Sequence, residues 1–183
     1  FDNRGDHLSL SPLLMEEFLK LSQSIMFSRD MGPKTSGAWG WMFQEPRKDA
    51  DVEEEVHSRL NKFLTRAFRR PVDEQTLERY ATYTLGQIKA GESFTEAMKQ
   101  AASAVLASPN FLYLYELGVN DHAEPLDDFE LASRLSFYLW GSIPDKQLLD
   151  LAETGRLSDP AELDRQLDRM LNDPKTKRFC DAF

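Results

Sequence analysis

Apolar side chains recur every three or four positions along most of this chain, which is the spacing of one face of an α-helix. Leu14, Phe18, Leu21 and Ile25 show it first. The spacing returns in seven later segments, which we predict to be helices: 51–70, 73–90, 93–106, 127–140, 144–154, 158–171 and a last one that starts at 173.

Residues that favour helix ends flank most of these segments. Ser11-Pro12 joins a capping side chain to a proline suited to the first turn. Two later segments start with the spacing of a capping box, at 93–96 and 127–130. Two others start with a capping residue followed by proline, at 158–160 and 173–174. Gly91 is placed to end the third helix in the left-handed conformation.

The stretch "SPNFLYLYELG", at 108–118, is compatible with two structures. Its alternating aromatic and leucine residues suit a short buried strand, and it can also continue as helix after Pro109. We favour helix because no second strand candidate exists for it to pair with. The chain is therefore predicted to be all-α, an irregular bundle or array of about seven to eight helices with essentially no sheet.

A segment rich in glycine and proline, 29–50, interrupts the helical pattern, and its tip "GAWGWMF" is unusually aromatic for a loop. We predict a linker there. The resulting division has four parts: 1–28 as the C-terminal part of a first helical module, 29–50 as linker, 51–118 as a second module and 119–183 as the N-terminal part of a third.

Charge and cysteine content exclude several classes of function. The 183 residues carry a net charge of −9, which disfavours nonspecific binding to nucleic acid or anionic membrane. Cys180 is the only cysteine, so an intrachain disulfide, a CxxC metal site and a CxxCH haem attachment are all excluded within this sequence.

No apolar run reaches the roughly 18–20 residues of a transmembrane helix. Neither end resembles a natural terminus, so we expect the polypeptide to continue at both.

The opening run "FDNRGDH" is the densest polar cluster in the sequence. Turn formation around Gly5 accounts for much of it, since short polar side chains such as Asp6 close turns onto their own backbone. A Ca²⁺ site needs more oxygen ligands than the run supplies. Asp2, Asp6 and His7 therefore stay as candidates for contact with a substrate or partner, and no metal is predicted.

Two further sets of residues are candidates for binding. Trp39 and Trp41 suit stacking against a sugar or a partner protein, and burial against the helices is the alternative. Arg66, Arg69 and Arg70 suit clamping of a carboxylate or phosphate, and the alternative is pairing with carboxylates at the end of their helix.

Catalytic motifs are not found in the sequence. HExxH, GxSxG, GxxxxGK and GxGxxG are all lacking. Asp127, Asp128 and Glu130 stand at a helix start, where capping explains them better than an acid/base pair does. His57 lies in the acidic turn of the second helix and is expected at the surface. We therefore assign no catalytic residue.

Three stretches together resemble consecutive domains of unknown function from large extracytoplasmic proteins of planctomycetes and related bacteria. "FDNRGDHLSLSPLLMEEFL" resembles the end of the first domain. "TRAFRRPVDEQTLERY" through "SFTEAMKQAASAVLASPNFLYLYE" resembles the second. "PLDDFELASRLSFYLWGSIPDKQLLDLAETGRLSDPAELDRQLDRMLNDPKTKRF" resembles the start of the third. In such relatives a cysteine pair often brackets the linker, and here Gln44 and Glu55 stand near those places.

The resemblance implies a location in the periplasm or at the cell surface, and a c-type cytochrome module elsewhere in the full protein. Haem c would then be bound outside this segment, which itself needs no cofactor. Two functions are open. One is a non-catalytic scaffold that contacts other domains of the same polypeptide, a protein or a carbohydrate. The other is part of an oxidoreductase acting on a polymer or small organic substrate, with Asp2, Asp6, His7 and Arg69 in its pocket.

Overall fold

A computed structural model describes residues 11–113 and 126–182 of the chain. Over these residues the chain is all-α and contains no strand, so the predicted fold class is confirmed. Seven helices have eight or more residues, and α5 and α9 are shorter. The helices are α1 Pro12–Met26, α2 Val52–Phe68, α3 Glu74–Lys89, α4 Phe94–Leu106, α5 Pro109–Leu112, α6 Asp128–Trp140, α7 Lys146–Glu153, α8 Pro160–Leu171 and α9 Lys177–Ala182.

The described residues divide into two compact units. The first contains the chain up to Phe63 together with Asp73–Leu112, and the second contains Leu64–Val72 and the chain from Tyr113 onward. Helix α2 therefore contributes its first three turns to one unit and its last residues to the other. The four-part division expected from the sequence stays a prediction.

Helix α4 is the centre of the first unit, with α1 and α3 both packed against it. Its inward residues are small or flexible, and Ala97, Met98, Ala101, Ala102 and Val105 have no exposed surface. Alanines permit a close approach of neighbouring helices, while methionine fills the irregular space that remains. This helix consequently carries much of the core of the unit.

A buried hydroxyl joins α1 to α4. The Ser22 hydroxyl lies 2.8 Å from the carbonyl oxygens of both Ser103 and Leu19, and its single hydrogen can be donated to either of them. Ser22 and Met26 are the buried residues of α1, whereas Leu21 and Ile25 are 55% and 47% exposed. The face of α1 that carries most of its large apolar side chains is thus turned away from α4.

The linker 29–50 contains a π-helical turn that the sequence did not predict. Trp39–Phe43 forms a five-residue π-helical turn, in which Met42 and Phe43 are fully buried. The Thr95 hydroxyl donates to the Phe43 carbonyl at 2.6 Å, and the Thr95 backbone N–H donates to the Glu45 carboxylate at 3.0 Å. The linker is therefore fastened to the first turn of α4.

The core of the second unit is built around Trp140, which is completely buried. Its indole N–H donates to the Met170 carbonyl at 3.1 Å, which ties α6 to the end of α8. Ala132, Leu148, Leu157 and Met170 complete the fully buried centre of this cluster. Among the described residues, no helix is both long and apolar enough to span a bilayer.

The predicted helix starts are right in type and differ in detail. Asp127 and Glu130 form a full capping box. At the start of α4, Ser93 accepts the Glu96 backbone N–H, and its hydroxyl donates to the Glu96 carboxylate. The segment at 144 begins two residues later than predicted, because Asp145 is the capping residue. The last segment starts with the 3₁₀ turn Pro174–Thr176 before α9. The helix predicted beyond Pro109 is found as α5, and 114–118 lie outside the described residues.

Candidate functional site

Three of the candidate binding residues, Asp2, Asp6 and His7, lie outside the described residues. The other five are placed in two regions. Trp39 and Trp41 belong to the π-helical turn of the first unit, and the three arginines lie at the end of α2 in the second. The two regions belong to different units, so each is considered as a separate site.

A lysine ammonium lies over each of the two candidate tryptophans, Trp39 and Trp41. The Lys62 ammonium of α2 is 4.8 Å from the ring centroid of Trp41, and the Lys99 ammonium of α4 is 5.2 Å from that of Trp39. Both tryptophans are half-buried. Cation–π attraction therefore holds the aromatic turn against the helices, and one face of each ring is occupied.

An open cleft of about 520 Å³ lies beside this turn, and we call it the linker cleft. Its lining is mostly polar: Gly40, Gln44, Glu45, Pro46, Arg47, Asp49, Ala50, Glu55 and Arg59. Three carboxylates and two guanidinium groups are among the lining side chains. The cleft can accept a small polar ligand, which makes it a candidate ligand site of the first unit.

Arg59 is the residue that shapes the linker cleft. Its Nε donates to the Glu55 carboxylate at 2.7 Å and its Nη1 donates to the Gln44 carbonyl at 2.6 Å. The guanidinium also lies 4.9 Å from the centroid of the buried Phe94 ring. The Arg59 guanidinium thus bridges Gln44 of the linker and Glu55 of α2.

At the end of α2, Arg70 pairs with the capping residue of α6. Its Nη2 donates to Asp127 at 2.9 and 3.3 Å and lies 3.9 Å from the Glu130 carboxylate. Asp127 at the same time accepts the Glu130 backbone N–H at 2.7 Å. Phe129 lies under the guanidinium, 5.8 Å away. We call Arg69, Arg70, Asp127 and Glu130 the charged joint.

Arg69 is buried within the charged joint and has a positive φ of 62°, a conformation that favours glycine. Its guanidinium donates to the Tyr113 carbonyl at 2.6 Å and to the Ala67 carbonyl at 3.3 Å. Burial, and to a smaller extent the charge of Arg70, lower the pKa of Arg69 from its usual value. The side chain thus fastens the end of α2 to Tyr113, the residue that directly follows α5.

The two remaining charged candidates at these helix ends, Asp128 and Arg66, differ in their surroundings. Asp128 accepts the backbone N–H groups of Leu157 and Ser158 at 2.7 and 3.2 Å, so it caps the loop before α8. Arg66 is exposed in the last turn of α2. The capping predicted for Asp127 and Glu130 is confirmed, and Asp128 has an additional role that the sequence did not indicate.

A second polar network lies along α8. The Gln166 amide donates to Glu162 at 2.9 Å, Arg169 Nε donates to Gln166 at 2.7 Å, and Arg169 Nη1 donates to Asp145 at 2.6 Å. Burial alone would raise the pKa of Asp145, but the hydrogen bonds from Arg169 and from backbone N–H outweigh it and lower that pKa. Arg169 also lies over Trp140, at 5.4 Å.

This network borders an open cleft of about 600 Å³ in the second unit, lined by Lys146, Gln147, Asp150, Leu151, Thr154, Arg156 and Glu162. Neither of the two clefts is lined by Trp39, Trp41 or the arginines of the charged joint. Over residues 11–113 and 126–182, no group of three or more His, Cys, Asp or Glu side chains is placed to hold a metal ion. In the same residues, every buried side-chain nitrogen or oxygen has a hydrogen-bond partner.

His57 was expected at the surface, but its side chain is only 25% exposed and both its ring nitrogens have partners. The sequence also did not indicate the roles of Lys62, Lys99 and Arg59. These cations stand at helical positions where a solvated side chain is the ordinary expectation. Their partners Trp41, Trp39 and Gln44 all lie in the linker, far from them along the sequence, so no local pattern identifies these contacts.

Two segments of the chain match known families. Residues 55–116 match PSD5, described as a protein of unknown function (DUF1595), and residues 126–183 match PSD4, described as a protein of unknown function (DUF1592). No curated protein and no solved structure is significantly similar to the chain. The two matched segments correspond to the second and third of the stretches that carry the family resemblance.

Proposed function

Because the chain carries a PSD5 segment followed by a PSD4 segment, both of unknown function, we propose that it is a helical scaffold. It would be a non-catalytic interaction segment of a larger extracytoplasmic protein that is associated with c-type cytochrome modules. Its partners would be other domains of the same polypeptide. The family resemblance supports the location and the cytochrome association.

The observation that carries this proposal is the use made of the charged candidate residues. Arg70 binds the capping carboxylate of α6, Arg69 binds backbone carbonyls, and Asp128 caps the loop before α8. A catalytic or anion-binding cluster keeps charged groups directed toward open space. Here they are engaged at helix ends, which supports a structural role.

The exposed face of α1 supports an interaction role. Leu13, Leu14, Leu21 and Ile25 are 68%, 45%, 55% and 47% exposed, although α1 is packed against α4 through Ser22. An exposed apolar face of this kind marks an interaction surface. In the proposal it is covered by a neighbouring domain of the same polypeptide.

The test compares this chain with a longer polypeptide that contains it. Leu21→Gln with Ile25→Gln should lower the melting temperature of the longer polypeptide by several degrees and leave that of this chain nearly unchanged. Ser24→Gln, at an exposed polar position of the same helix, is the control. Equal effects on both proteins, or no effect on either, would contradict the scaffold proposal.

The alternative is a segment of an extracytoplasmic oxidoreductase that contributes pocket residues. The linker cleft is the observation that favours it, because charged and amide side chains surround a space large enough for a small polar molecule. Haem c absorbance of the longer polypeptide tests the electron-transfer version, and the absence of haem would contradict that version. If the longer polypeptide turns over a substrate, loss of that turnover on Arg47→Met would favour a pocket in this segment. Unchanged turnover would favour a scaffold role for the segment.

A further inference from the structure

His57 of α2 lies between two oxygen atoms that only accept hydrogen bonds. Its Nδ1 is 2.8 Å from the Glu53 carbonyl oxygen, one turn earlier on the same helix. Its Nε2 is 2.8 Å from Oε1 of Glu78 on α3. Both distances are those of well-formed hydrogen bonds, and all three residues belong to the first unit.

A neutral imidazole carries one N–H and therefore satisfies only one of these two acceptors. With a backbone carbonyl on one side and an ionised carboxylate on the other, both nitrogens must donate. We propose that His57 is a proton-operated tether between α2 and α3. It would be held as an imidazolium when the two helices are joined, and it would release Glu78 when it loses its proton.

The charges around the ring favour the protonated form. The bond to the Glu53 carbonyl contributes most to raising the pKa of His57, partial burial acts in the opposite direction, and the bond to Glu78 and the charges of Glu78 and Glu53 raise it further. Two cations on the neighbouring helices are engaged with aromatic rings. On α3, Arg79 lies against the Tyr80 ring. On α4, which packs against α3, Lys99 lies over the aromatic rings of Trp39 and Phe27.

Loss of the proton changes the contact between the helices directly. If Nδ1 keeps its hydrogen for the Glu53 carbonyl, the lone pair of Nε2 faces the Glu78 carboxylate and repels it. If Nε2 keeps the hydrogen, the Glu53 carbonyl faces a lone pair instead. Either tautomer removes one bond, and the link that joins separate helices is the one to Glu78.

The effect on stability has a defined sign. A histidine whose pKa is raised by folding stabilises the folded state fully below its unfolded pKa of about 6.5, and that contribution is lost as the pH rises through the folded pKa. The tether therefore holds in mildly acidic solution and weakens in alkaline solution. The first unit responds through the α2–α3 contact.

Nitrogen-15 NMR of the imidazole tests the tether in this chain, with His57→Gln used to assign the signal. The expected result is that both ring nitrogens are protonated at pH 6.5, and that Glu78→Gln lowers the apparent pKa of His57. Glu74→Gln, one turn earlier on α3, is the matched control and should leave it unchanged. A single protonated nitrogen at pH 6.5, or a pKa unaffected by Glu78→Gln, would overturn the proposal.

A stability measurement separates the tether from a merely packed side chain. The urea midpoint of the wild-type chain should exceed that of His57→Gln at pH 5.5, and the difference should shrink at pH 9. Comparing the two proteins at each pH removes the contribution of other titrating groups. A difference that stays constant between these pH values would mean that His57 contributes by packing alone, which would overturn the proposal.

Discussion

The Nη2 atom of Arg70 lies 2.9 Å from Oδ2 of Asp127, the residue that caps helix α6. The Arg70 guanidinium thus pairs with the carboxylate that caps the start of α6. Arg70 follows directly after Arg69, whose guanidinium binds backbone carbonyls. Two of the three arginines for which an anion clamp was one interpretation, Arg69 and Arg70, therefore bind groups at helix ends in the second unit, and Arg66 is exposed.

Asp127 should matter more as a cap than as a partner of Arg70. Asp127→Ala removes the acceptor for the Glu130 backbone N–H and should lower the free energy of unfolding by about 1–2 kcal/mol. Asp127→Asn keeps an acceptor oxygen and loses only a half-exposed ion pair, so it should cost less than about 1 kcal/mol. Urea denaturation followed by circular dichroism measures both. An asparagine variant as unstable as the alanine variant would contradict this ranking.

Ser22 should be sensitive to size as well as to polarity, because it is buried where α1 meets α4. Ser22→Ala removes one hydrogen bond and should cost about 0.5–1.5 kcal/mol of stability. Ser22→Leu adds volume to a close helix contact and should cost about 1–3 kcal/mol through overpacking. Ser24→Leu on the exposed side of the same helix is the control and should change stability by less than about 0.5 kcal/mol. Equal melting temperatures for the two leucine variants would contradict the placement of α1.

Arg59 should protect the linker from proteolysis. Arg59→Met removes the bonds to Gln44 and Glu55, and the loss of about one net hydrogen bond, roughly 1.4 kcal/mol, should increase local opening about tenfold. Trypsin cleavage after Arg47 and Lys48, followed by mass spectrometry, measures that opening. Arg66→Met, on the exposed end of the same helix, should leave the cleavage rate unchanged. Unchanged cleavage in Arg59→Met would show that the linker does not depend on this bridge.

Asp145 should make the second unit sensitive to acid. Burial would raise the pKa of Asp145, but the hydrogen bonds from Arg169 and from the Leu148 N–H outweigh it and lower that pKa in the folded state. A lowered carboxyl pKa stabilises the fold above its unfolded value of about 3.9, and that stability is lost as the pH falls through the folded pKa.

Asp145→Asn should therefore lose about 1–2 kcal/mol at pH 7 and show a shallower decline in stability below about pH 4. Near-ultraviolet circular dichroism at a series of pH values follows the unfolding. Asp150→Asn on the same helix, which breaks only the exposed pair with Lys146, is the matched control and should behave like the wild type within about 0.5 kcal/mol. An unchanged acid midpoint in Asp145→Asn would contradict the role given to Arg169.

Helix positions were predictable because their signals are local. Ser11, Asp127 and Asp159 each cap the helix expected to follow them, since a capping side chain acts within three residues of its own position. The bridge from Arg59 to Gln44 joins residues fifteen positions apart. No local pattern shows that the linker returns to α2, so the sequence alone did not reveal this contact.

The candidate site was harder to predict for the same reason. A run of arginines at a helix end is compatible with anion binding and with ion pairing, and only the placement of Asp127 separates the two. His57 is a second residue whose contact could not be predicted from its local sequence. Its neighbours on α2 predicted a solvated position, whereas Glu78, twenty-one residues later, binds it.

A double-mutant cycle between Arg70 and Asp127 tests the central claim, that the charged residues at the end of α2 serve helix ends. The four proteins are the wild type, Arg70→Met, Asp127→Asn and the double variant, and the free energy of unfolding is measured for each. We predict a favourable coupling free energy of about 0.5–1 kcal/mol. A coupling of zero, with an Arg70→Met variant as stable as the wild type, would contradict the claim and return Arg70 to the candidates for ligand binding.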